Sequence, residues 1–231
     1  MWTLFGVEID PSSILTTVKV AGLTTLILLL LAMPIAWRIT QMRSRWKVLL
    51  EAIVALPLVL PPTVLGFYLL IVMNPHGYLA DFLALLGYHK QLTFSFTGLV
   101  IGSVIYSLPF AVQPLMHAFE QVPHALLEAA KTLRASGLAI FWQVVVPLSQ
   151  RGFLTAATLT FAHTVGEFGV VLMLGGNIPG ETRVVSIDIF NHVENMEYAQ
   201  AHILSLMMLI FAFVVLLVVY GLNRRFSVKV A

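Results

Sequence analysis

Glu167 is the one acid inside a long apolar stretch, 152–174, and His163 precedes it by four residues. On a helix that spacing puts both side chains on one face. An ionisable group at membrane depth is a functional candidate by default. Two ligands are too few for a metal, and the chain holds no His-Glu-x-x-His pattern, so no metal site is expected. Two readings of Glu167 stay open: a structural bond to a neighbouring helix or backbone, or a part in a gate or subunit contact. The hydroxyls of Ser103, Ser107, Thr155, Thr158, Thr160 and Thr164 pose the same choice. Each could line a polar path, or simply bond the backbone of its own helix. An intramembrane enzyme built on His163 and Glu167 would lack a nucleophile or a third ligand, so no catalytic residue is assigned.

These side chains must be positioned by membrane helices. Hydrophobic residues make up 59% of the 231 residues and charged residues 10%, against roughly 25% charge in soluble domains. The mean hydropathy is +0.92. A helix needs about 20 apolar residues to cross a bilayer, and five stretches suffice: 14–37, 52–73, 94–118, 152–174 and 201–222. Within them the charges are Lys19 and Glu167 alone. The expected fold is all-α, a single membrane domain over 1–231 with no linker or internal repeat. Pro57, Pro61 and Pro62 should break or kink the second span, either to shape its packing or to bend it at a pore or interface. Breaks are expected nowhere else.

Positive residues stay on the cytoplasmic side. Arg38, Arg43, Arg45 and Lys47 follow the first span, and Arg224, Arg225 and Lys229 follow the last. Lys131, Arg134 and Arg151 lie between the third and fourth. Five spans put all three groups on one side, opposite Lys90, Arg183 and most of the acids. The N-terminus is therefore expected outside and the C-terminus inside. Glu8 and Asp10 precede the first span where a signal peptide would carry positive charge. With no cysteine, the chain can form no disulfide. The net charge of +2 comes from these flanks and does not point to nucleic acid.

About 120–150 the chain turns polar. Pro123 suits the first turn of a helix. Leu126, Leu127, Ala130 and Leu133 follow at helical spacing, with Glu128, Lys131 and Arg134 elsewhere on the wheel. Ala135-Ser136-Gly137 reads as a turn, and the apolar run 138–146 ends at Pro147. A short amphipathic helix at the membrane surface fits either a groove in another protein or the lipid interface. The chain has no Gly-x-x-x-x-Gly-Lys-Ser/Thr loop, so it cannot itself cradle ATP phosphates.

This segment resembles the permeases of importer-type ABC transporters. They carry Glu-Ala-Ala, three residues, Gly, nine residues, Ile, one residue and Leu-Pro. Here stand Glu128-Ala129-Ala130, Arg134 at the Gly position, Val144 at the Ile position, and Val146-Pro147. Gly137 is expected to take over the flexibility that Arg134 removes. The run 56–62, Leu-Pro-Leu-Val-Leu-Pro-Pro, is similar to that of the molybdate permeases. So are Val165-Gly166-Glu167-Phe168-Gly169 and the run 175–182, Gly-Gly-Asn-Ile-Pro-Gly-Glu-Thr. The sulfate permeases are close relatives with a similar Gly-Glu-Phe-Gly stretch.

The resemblance implies a MetI-like architecture in the cytoplasmic (inner) membrane of a prokaryote. It implies a homodimer joined to two ATP-binding subunits, with a periplasmic binding protein delivering the oxyanion. The expected function is then import of molybdate, with tungstate and sulfate as alternatives, and without a cofactor. Glu128, Ala129, Ala130, Leu133, Arg134 and Gly137 would couple to the ATPase. A path for a doubly charged oxyanion needs donors that hold it loosely. Ser103, Ser107, Thr155, Thr160, His163 and Thr164 are candidates for its lining or gate. A carboxylate facing the path would repel the substrate, so Glu167 should not bind it directly. The acidic segment after Gly180, to Gln200, would lie at the outer surface, near the binding protein or as a plain loop. A secondary transporter or channel is the remaining alternative, which would show repeats or matched broken helices.

Overall fold

The computed structural model describes residues 2–4, 7–85, 87 and 91–225. Lys90 and Lys229, used in the charge count, lie outside the described residues. The chain opens with a small antiparallel ribbon, β1 (Trp2–Leu4) and β2 (Val7–Ile9), with Thr3 opposite Glu8. Every element after it is helical.

Among the described residues three helices are long and apolar enough to cross a membrane: α1 (Ser12–Thr40), α5 (Phe96–Glu120) and α12 (Tyr198–Arg225). Two further spans are each made of a bent pair, giving five in all if each pair counts as one. The first pair is α2 (Trp46–Val59) with α3 (Pro62–Val72), bent by 108°. Its cause was visible in the sequence. A residue before proline is driven out of the α region. Leu60 and Pro61, each followed by proline, are extended at ψ 135° and 134°. Pro62 then starts α3, where its missing N–H costs nothing. Pro57 sits buried inside α2 and does not end it.

The second pair corrects the expectation of a continuous fourth span. α9 (Gln150–Val165) and α10 (Gly169–Gly175) are bent by 61°. The chain leaves the helix at Gly166, and Phe168 takes φ −131° and ψ −64°. Broken backbone is tolerated at membrane depth only where protein satisfies it. Here the Ser186 hydroxyl donates to the Glu167 carbonyl at 2.5 Å. The two breaks face one another, because α3 packs on α10. A Cβ at Gly169 would lie 2.8 Å from Cβ of Pro62, and one at Gly66 would lie 2.8 Å from Cβ of Met173. Both positions therefore require glycine for close approach.

α1, α5 and α9 pack on one another and form the core. On α1 the buried face runs Ala21, Thr24, Leu28, Ala32, Ala36 and Ile39, at helical spacing. Its small residues let the neighbours approach, as membrane packing demands. Leu26 and Leu30 on the opposite side are exposed, as are Leu209, Phe213 and Leu217 of α12. Such faces suit lipid or a partner helix. Short helices fill the connections: α4 (Tyr78–Leu85), α6 (His124–Thr132), α7 (Gly137–Ile140), α8 (Val146–Leu148) and α11 (Val185–Glu194). The segment after Gly180 is thus no plain loop, since α11 buries Val185, Ile187 and Asp188. α7 runs into α8 through a π turn, Phe141–Val145, where the Val146 N–H reaches back to the Phe141 carbonyl. This widening precedes Pro147, which has no N–H and whose ring would clash with a carbonyl four residues back.

Candidate functional site

The α9–α10 break gathers the polar groups singled out above. Glu167 is buried, and its carboxylate accepts from Ser103 at 2.5 Å and from Ser107 at 2.7 Å. Both serines belong to α5, four residues apart on one face. Ser107 also meets His163 Nδ1 at 2.8 Å and Thr164 Oγ1 at 2.9 Å. A hydroxyl carries one proton. With that proton given to Glu167, Ser107 can only accept from the other two. His163 then holds its proton on Nδ1 and leaves Nε2 free of this network. Its ring stacks on Phe110 at 3.9 Å and lies 4.8 Å from the Tyr106 ring.

His163 and Glu167 border a cavity of about 590 Å³, walled by Pro62, Thr63, Tyr106, Gly166, Phe168, Gly169 and neighbours. Both helix breaks thus contribute to one space. Tyr106, Phe110, Thr63 and Ser186 were missed by sequence reasoning. The face of α5 could have shown two of them, since positions 103, 106, 107 and 110 share it. The other hydroxyl candidates lie apart. Thr155 and Thr158 donate to the carbonyls of Arg151 and Leu154 on their own helix. Thr160 is fully buried and its hydroxyl has no hydrogen-bond partner. Among the described residues no three potential metal ligands come together.

The polar segment forms a second site. Pro123 precedes α6 as its N-cap, one position earlier than expected. Leu127 is buried and Ala130 half-buried, packed against the core. Leu126, Ala129 and Leu133 stand exposed on another face, an apolar stripe on a short polar helix. Lys131 donates to Glu128 at 2.9 Å and holds that carboxyl below its ordinary value. The helix ends in a doubly bonded cap. The Arg134 N–H reaches the Lys131 carbonyl at 2.8 Å, and the Ala135 N–H reaches the Ala130 carbonyl at 3.1 Å. This geometry puts the residue after the C-cap in the left-handed region, usually as glycine. Arg134 occupies it at φ 58°. Gly137 does not take over this role, because it opens α7 without a positive φ, behind Ser136 as N-cap. Ser136 Oγ there accepts from the Ala139 N–H at 3.2 Å.

Residues 28–230 match the family described as the inner membrane component of binding-protein-dependent transport systems. The chain belongs to this family. It is therefore a multi-pass inner-membrane subunit, and a secondary transporter or channel is set aside despite the paired breaks. Among curated relatives, the molybdenum transport permease ModB of Azotobacter vinelandii is 57% identical over 220 residues, covering 95% of this chain and 96% of its own. The sulfate transport permease CysT of Salmonella typhimurium is 30% identical, covering 84% of this chain and 70% of its own. Among solved structures, a bacterial ABC transporter for import of the polysaccharide alginate aligns with a TM-score of 0.80 at 19% identity. It covers 98% of this chain and 82% of its own. The family's fold is thus that of the importer-type ABC permeases.

Proposed function

We propose that the chain is the membrane-spanning permease subunit of an ATP-driven molybdate importer, with tungstate as a second substrate. The observation that carries this reading is the identity to the Azotobacter molybdenum permease, nearly twice that to the sulfate permease. Two copies pair, because five spans make too little wall for a pore. Each copy takes one ATP-binding subunit, and a periplasmic binding protein meets the outer end near Asn177 and α11. The exposed stripe of α6 seats in a groove on the ATPase, in the manner of an amphipathic helix in a hydrophobic groove. ATPase closure then moves α6 and tilts the spans as rigid bodies. The cavity at the two helix breaks borders the path. Thr63 and Tyr106 can offer it donors, while Ser103 and Ser107 occupy the Glu167 carboxylate.

Uptake tests the substrate. In cells lacking other molybdate carriers, the chain is expressed with its ATPase and binding protein. Labelled molybdate should accumulate, and excess tungstate, but not excess sulfate, should suppress it. Sulfate accumulating at the molybdate rate would place the chain with the sulfate permeases instead.

A further inference from the structure

A cavity of about 900 Å³ lies between α1, α2 and α7, apart from the site at the helix breaks. We propose that it binds one anionic phospholipid, with the phosphate on Arg38 and an acyl chain on the apolar walls. Leu30, Met33, Ile53, Leu138 and Trp142 form those walls, and Arg38 is the charged residue among the lining groups. Eight residues of α1 separate Leu30 from Arg38, a depth of about 12 Å at 1.5 Å per residue. That is less than half of the roughly 30 Å hydrocarbon layer, so the groove opens to a single leaflet. Along α1 the wall passes from the Arg38 charge through the Trp37 ring to aliphatic carbon at Leu30. Indole rings favour this membrane level, and a phospholipid has the same polarity order along its length.

Charge selects the lipid type. Arg38 lies in the last turn of α1, and no ion pair to it is found among the described residues. Glu120 and Glu51 are already engaged, since Lys47 meets them at 3.0 Å and 3.8 Å. Arg43 and Arg45 follow in the connection to α2 and add to the positive charge beyond this end of α1. Basic pockets between membrane helices recognise anionic headgroups in this way. A lipid held here also acts mechanically. Leu138 and Trp142 belong to the segment joining α6 to α9, so the lipid braces that segment against α1 and α2.

The test uses the assembled transporter in nanodiscs made from equal parts phosphatidylcholine and phosphatidylglycerol. Native mass spectrometry after release should find one phosphatidylglycerol retained per permease chain. Arg38→Gln should weaken retention about five-fold, the effect of one basic group near an anionic headgroup. Arg38→Lys should keep it. Trp142→Ala should lower the retention of both lipids alike. Equal retention of phosphatidylcholine by the unaltered protein, or undiminished phosphatidylglycerol in Arg38→Gln, overturns the proposal. So does spontaneous disulfide formation between two Ile53→Cys chains in the membrane, which would mean that a second copy covers the groove.

Discussion

Arg134 holds a left-handed position, at φ 58°, where a helix end usually places glycine. A side chain there costs roughly 1 kcal/mol. Arg134→Gly should therefore raise thermal stability in detergent by about that amount and leave transport intact. Loss of transport would mean that the guanidinium matters and the backbone shape does not. Ala129 and Ala130, adjacent in sequence, have different surroundings. Ala130 leans on the protein's own core, while Ala129 is exposed on the stripe proposed for docking. Ala129→Trp is thus the cleaner probe of coupling. It should insert and fold normally, yet release the ATP-binding subunit and abolish substrate-stimulated hydrolysis. Normal ATP turnover in this variant would remove α6 from the coupling role. Ser107→Ala should destabilise more than Ser103→Ala, because Ser107 serves Glu167, His163 and Thr164 together. Each buried group left unpaired costs about 1–3 kcal/mol, and melting of the purified protein would rank the two variants.

Among the elements, the pair α3 and α10 depends on two glycines that the sequence did not single out for packing. Gly169→Ala places a methyl 2.8 Å from Cβ of Pro62. Overpacking of this kind costs about 1–3 kcal/mol, and both melting temperature and uptake should fall. Gly22→Ala is the control, since nothing lies within 4 Å of its added Cβ. If the two variants behave alike, the two breaks are not held by close contact. The break at Leu60–Pro61 was legible because consecutive prolines force extended backbone whatever surrounds them. The break at Gly166–Phe168 was not, because hydropathy stays high through 152–174 and glycine is equally at home in a packed helix. What permits it is a hydroxyl distant in sequence, Ser186, which no local pattern reveals. The π turn was hidden for a related reason, as Pro147 reads as a helix end when it is in fact absorbed by widening. The meeting of His163 and Glu167 was legible from their spacing. Their serine partners on α5 were recognisable as types, but not as partners.

For the whole molecule, the distribution of Lys and Arg predicts which ends face the cytoplasm. Ser44, Ser136 and Asn177 are all exposed. On the cysteine-free background, Asn177→Cys should react with an impermeant thiol reagent in intact cells, and Ser44→Cys and Ser136→Cys should not. The reverse pattern would invert the topology. Mass measurement of the detergent-extracted complex should return two permease chains. One chain beside a different permease would show that the pore wall is built from unlike halves.

Glu167 is held at both of its ends, the carboxylate by α5 and the carbonyl by Ser186 of α11. The hinge-like look of the α9–α10 break is therefore deceptive. Bending there would strip several buried hydrogen bonds at once. The joint is better described as a weld. Whatever motion ATP drives should carry α5, α9, α10 and α11 together, with the yielding points elsewhere. In amide exchange the backbone of these four helices should become accessible together rather than in sequence.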